Sequence, residues 1–60
     1  MSAVYNPEAD TVAQIEKLEL EARELRKRIQ AATQESYRQA LSTELTDIQK
    51  NIARLQERLA

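Results

Sequence analysis

The sequence predicts an all-α protein: an antiparallel helical hairpin (helix-turn-helix) that dimerises into a four-helix bundle. Three observations carry this expectation. The 60 residues contain no Gly and a single Pro, and they are rich in Ala, Leu, Glu, Gln and Arg, all strong helix formers. No alternating apolar run bounded by turn residues occurs, so the signal for strands is missing. The apolar residues instead fall into two stripes whose spacings alternate between three and four, as in a coiled-coil seam.

The elements follow in chain order. Residues 1–6 are expected to form a flexible N-terminal tail, and 7–60 the hairpin. Asn6-Pro7-Glu8 reads as N-cap, N1 and N2 of the first helix. The Asn side chain accepts from an orphan N–H, Pro gives up a donor that was free anyway, and Glu8 and Asp10 suit the positive end of the helix dipole. The first stripe is Ile15, Leu18, Ala22, Leu25, Ile29 and Ala32, and the second is Leu41, Leu45, Ile48, Ile52, Leu55 and Leu59. Nine residues separate Ala32 from Leu41. At about 100° per residue they would put the two stripes on opposite sides of one continuous helix, and a stutter or stammer of four or three residues does not repair that phase.

A chain reversal repairs it, with Ala32 facing Leu41, Ile29 facing Leu45, Leu25 facing Ile48, Ala22 facing Ile52, Leu18 facing Leu55 and Ile15 facing Leu59. The polar run Thr33-Gln34-Glu35-Ser36 suits the turn, because Thr and Ser bond readily to local backbone. Helix C-caps often use Gly, and this chain has none. The expected boundaries are helix 1 at about 7–33, a turn at about 34–36 and helix 2 at about 37–59, a short connection of the kind αα-hairpins use.

Such a hairpin is expected to associate. A chain of 60 residues buries only about 60% of its unfolded surface, and a seam that includes Ala22 and Ala32 is thin. Without Cys no disulfide can staple it. The charges beside the first seam suggest how two copies meet. Glu19 and Arg26 lie at e positions, Glu21 and Arg28 at g positions. Two antiparallel copies of helix 1 would bring Glu19 to Arg26 and Glu21 to Arg28, with a two-fold axis between Arg23 and Glu24. Each exposed pair contributes under ~1 kcal/mol, so these charges orient the dimer rather than stabilise it. The same residues also form i,i+4 pairs within one helix, Glu19 with Arg23 and Glu24 with Arg28. Helix 2 differs: its e positions hold Ser42, Gln49 and Gln56 and its g positions Glu44, Asn51 and Arg58, which widens the face available for burial.

Most reaction chemistry has no residues to run on. There is no Cys and no His, which removes thiolate nucleophiles, imidazole bases and the usual zinc ligands. Glu16, Glu19, Glu21 and Glu24 offer carboxylate pairs at glycosidase-like spacing, but on an exposed helix face nothing raises a pKa or excludes water. Ser2, Ser36 and Ser42 lack a base partner, and a phosphate-cradling loop needs Gly. We therefore expect no enzyme activity, no cofactor and no metal. Arg23, Arg26, Lys27 and Arg28 form a basic cluster, yet Glu24 interrupts it, only Tyr5 and Tyr37 could stack on bases, and the net charge is −1, so no nucleic-acid partner is expected. No run of 18 apolar residues exists, so no membrane span is expected. Met1–Asp10 carries neither a basic n-region nor an apolar h-region, which predicts no secretory leader and a cytoplasmic location.

What is left is a non-enzymatic protein–protein interaction module, a homo-oligomeric coiled-coil scaffold or regulator whose first partner is itself. Val12, Leu20 and Tyr37 lie off the seam and are candidates for a partner surface. The hairpin resembles, in architecture alone, the small antiparallel-dimer plasmid regulators of the Rop type, and this likeness implies a homodimer. Glu35-Ser36-Tyr37-Arg38-Gln39 at the start of helix 2 resembles the co-chaperones of type III secretion needle subunits. That second likeness implies an alternative function, a small chaperone or adaptor that binds a helix of another protein.

Overall fold

Asn6 starts the first helix as its residue type demands. Its backbone is extended, and its Oδ1 accepts from the N–H of Glu8 at 3.1 Å and of Ala9 at 3.3 Å. Pro7 then occupies N1, and helix α1 runs Pro7–Ala31. The computed structural model describes residues 6–60, so the expected tail at 1–5 lies outside the described residues. Helix α2 runs Glu35–Leu59 and packs back along α1 to close the hairpin. Three threonines inside the helices satisfy their hydroxyls locally: Thr11, Thr43 and Thr46 donate to the carbonyls of Pro7, Gln39 and Ser42 at 2.9, 3.1 and 3.0 Å.

The turn comes earlier than 34–36. It comprises Ala32, Thr33 and Gln34, and Glu35, Ser36 and Tyr37 already belong to α2. The chain turns without glycine because no described residue takes a positive φ. Ala32 leaves α1 in extended conformation (φ −70°, ψ 133°) and Gln34 enters α2 likewise (φ −96°, ψ 130°). The guanidinium of Arg38 closes the bend, its Nη2 donating to the Ala32 carbonyl at 2.8 Å while its Nη1 lies 3.9 Å from the Glu35 carboxylate. One side chain of α2 thus satisfies an orphan carbonyl at the end of α1, the task a Gly C-cap otherwise performs.

Neither Thr33 nor Ser36 caps α2. The N-cap is Gln34, whose side chain makes no capping bond. Gln34→Asp supplies a short acceptor there and a negative charge at the dipole's positive end. It is expected to stabilise the hairpin by about 1 kcal/mol and to raise Tm by several degrees in a thermal melt. An unchanged Tm would refute the capping vacancy.

The two stripes meet between the helices. Ala22, Leu25, Leu41 and Ile48 form one buried cluster, against which Leu18, Ile29, Leu45 and Ile52 pack half-buried. Ile15 and Ala32 are buried as well. Leu59 departs from expectation: it is 41% exposed, because it is the last residue of α2 and reaches the level of Pro7 and Thr11, where no large apolar side chain among the described residues covers it. Thr11, half-buried, extends the first stripe by one step.

The arrangement is one helix deep. Its Cα atoms span only 12 Å in the thinnest direction. Among the described residues no large side chain is completely enclosed and no polar one is buried. A layer of this depth has two broad faces and no interior between them.

Candidate functional site

The heptad positions sort onto those two faces once the hairpin closes. In an antiparallel pair, e positions meet e positions on one side and g positions meet g positions on the other. The first side carries an open groove of about 360 Å³, lined by Glu19, Ala22, Arg23 and Arg26 from α1 and by Gln49, Ile52, Ala53 and Gln56 from α2. We call it the Ala22 face. The opposite side carries two grooves. One is lined by Glu21, Glu24, Leu25, Arg28, Glu44 and Ile48, the other by Gln14, Leu18, Asn51, Arg54, Leu55 and Arg58. This is the Glu21 face.

The two faces differ in charge. After its first turn, α2 offers the Ala22 face Gln39, Ser42, Thr46, Gln49, Ala53 and Gln56, with no charge among them. The charges of α2 beyond that turn lie on the Glu21 face (Glu44, Asp47, Arg54, Arg58) or along the outer edge (Lys50, Glu57). The α1 half of the Ala22 face carries Glu16 and Glu19 followed by Arg23 and Arg26. The half-buried apolar side chains Ile29, Leu45 and Ile52, and the exposed Leu59, occupy a positions, which lean toward this face. The hollow at its centre exists because Ala22 and Ala53 are small.

The predicted orienting charges separate accordingly. Glu19 and Arg26 share the Ala22 face, whereas Glu21 and Arg28 share the other. A single contact between two flat layers can use one of these pairs and not both. The seam that was to join two copies of helix 1 is occupied by α2, so any second-copy contact must use a face. The basic cluster divides as well: Arg23 and Arg26 lie on one face, Arg28 on the other, and Lys27 stands 3.9 Å from Glu24.

The candidate partner residues do not converge. Val12, Leu20 and Tyr37 are 42%, 59% and 49% exposed. Tyr37 sits in the first turn of α2, level with the bend and more than about 20 Å along the axis from Leu20. Leu20 lies at the edge of α1 among Glu16, Glu19 and Arg23.

The four glutamates that suggested carboxylate pairing, Glu16, Glu19, Glu21 and Glu24, are all exposed, as are Ser36 and Ser42. Among the described residues no group of acidic side chains is placed to hold a metal ion, and no helix is long and apolar enough to cross a membrane.

Sequence reasoning missed two functional side chains. Arg38 bonds across the turn, a contact that exists only after the chain reverses. Thr11 continues the three-four spacing, but its polar type concealed it. These features define a two-helix hairpin with one partly apolar face whose α2 half carries no charge beyond the first turn. No protein-family model matches the chain, and comparisons with curated proteins and with solved structures return no match.

Proposed function

We propose that this protein is a non-enzymatic interaction module whose working form is a homodimer, two hairpins stacked as a four-helix bundle. The observation that supports it is the single-layer depth: a 12 Å slab leaves Ile29, Leu45 and Ile52 only half-buried along a full face. Stacking a second layer removes that apolar surface from water at about 25 cal/mol per Å², and layered packing is the usual way helices bury such stripes. The dimer is then a small scaffold or regulator that presents its outer surfaces to other molecules.

Sedimentation equilibrium combined with thermal melts tests this. The expected result is twice the chain mass at micromolar concentration and a Tm that rises with concentration, as mass action requires. A single-chain mass with a cooperative, concentration-independent melt would refute it. A weakly helical single chain that folds only on adding a foreign helix would favour the adaptor reading instead.

A further inference from the structure

Resting on that homodimer reading, we infer that the second copy docks on the Ala22 face with the two turns at opposite ends, α1 over the second copy's α1 and α2 over its α2. Three observations select this arrangement. First, three half-buried apolar side chains lean toward it, Ile29, Leu45 and Ile52, against two, Leu18 and Leu55, on the Glu21 face. Second, the α2 half of the face is uncharged from Gln39 to Gln56, so it meets its own copy with no ion to desolvate. The Glu21 face carries charges on both helices, and burying them costs far more.

Third, the α1 half is complementary to itself only when reversed. Its b and e positions form a secondary stripe with the same three-four spacing, and antiparallel stripes pack b against e. Glu16 then stands opposite the second copy's Arg26, and Glu19 opposite its Arg23, each pair occurring twice about the axis. Val12 covers the aliphatic part of the second copy's Gln30. The axis falls level with Glu21, near the middle of the hairpin, so the two layers overlap over most of their length. Rotating the second copy to bring the turns together would set those four charges against the uncharged stripe of α2, leaving all of them unpaired in the interface.

The double variant Arg23→Glu, Arg26→Glu tests the contact. Its dimer dissociation constant, measured by sedimentation equilibrium, is expected to rise about a hundredfold. Adding Glu16→Arg and Glu19→Arg is expected to restore it. The matched change on the other face, Glu21→Arg with Arg28→Glu, is expected to leave it unaltered. Spin labels on Gln34→Cys should read a separation of at least about 40 Å between copies, the axial distance that opposite turns impose.

A parent dimer that survives the Arg23→Glu, Arg26→Glu change but is broken by the Glu21→Arg, Arg28→Glu change would overturn the choice of face and leave self-association standing. Labels closer than about 20 Å, two neighbouring helix diameters, would overturn the orientation. A parent chain that stays single at every concentration would overturn the homodimer itself. All substituted charges are exposed in the hairpin, and far-UV circular dichroism at high concentration confirms that each variant still folds.

Discussion

Leu25→Ala is expected to remove about 2–5 kcal/mol of stability, the range for truncating a buried Leu. Leu25 is 6% exposed and sits in the central cluster with Ala22, Leu41 and Ile48. A helix pair one layer deep cannot collapse around the cavity from a third side, which places the loss toward the upper end. A domain of this size has only a few kcal/mol in total, at about 0.05–0.15 kcal/mol per residue, so the variant should lose its cooperative melt at micromolar concentration. Two controls make the result specific. Leu20→Ala, at a position 59% exposed, should change stability by less than about 0.5 kcal/mol. Leu25→Met keeps volume and should cost under about 1.5 kcal/mol. If Leu25→Ala and Leu20→Ala melt alike, the described core is wrong.

The second large effect concerns the bend. Arg38→Ala removes the 2.8 Å bond to the Ala32 carbonyl and leaves the end of α1 without its partner. Hydrogen bonds from charged groups contribute about 1.5–3 kcal/mol; with the Arg38 side chain 46% exposed, water replaces part of this, and about 1 kcal/mol is expected. That corresponds to roughly 4–8 °C in Tm for a domain of this size. Arg38→Lys keeps the charge near the negative end of α1 but loses the fork, so it should recover part of the loss and not all of it. Hydrogen exchange localises the effect: the last turn of α1 and the first of α2 should exchange faster, and the Leu25–Ile48 layer should not. Uniform acceleration throughout the hairpin would show that the bond is not local to the turn.

These two residues mark what could be read before folding and what could not. Leu25 belongs to a stripe whose spacing, and whose phase against the second stripe, demanded a reversal. The hairpin and the buried cluster of Ala22, Leu25, Leu41 and Ile48 followed from that arithmetic. Asn6-Pro7 was equally legible, because a cap is a local bond between neighbours. The turn was harder. Thr33 and Ser36 have the higher capping propensity, yet the chain caps with Gln34, since the geometry needed to bring Ala32 over Leu41 overrides local preference. Arg38 reaches a carbonyl six residues back, and no periodicity predicts that.

The candidate surface was half legible for a geometric reason. On a helical wheel Glu19, Arg26, Glu21 and Arg28 flank one seam together. When that seam is closed by α2, its two flanks become the two sides of a slab, and pairs that looked like partners are separated by the thickness of the molecule. The uncharged run on α2 was visible as composition, but only the grooves show that Gln49, Ala53 and Gln56 share a side with Glu19 and Arg26.

The glycine-free bend also bears on how the molecule forms. Ala32, Thr33 and Gln34 have side chains that an uninterrupted helix would accept, so the free chain has no built-in hinge there. The kink exists only while the stripes on either side of it hold together. Ala32 and Leu41 are the nearest pair across the bend and require the shortest loop to close, so their meeting is the cheapest first step in entropy. Each later layer then locks one step further from the elbow, and the molecule assembles like a clasp drawn shut from its joint.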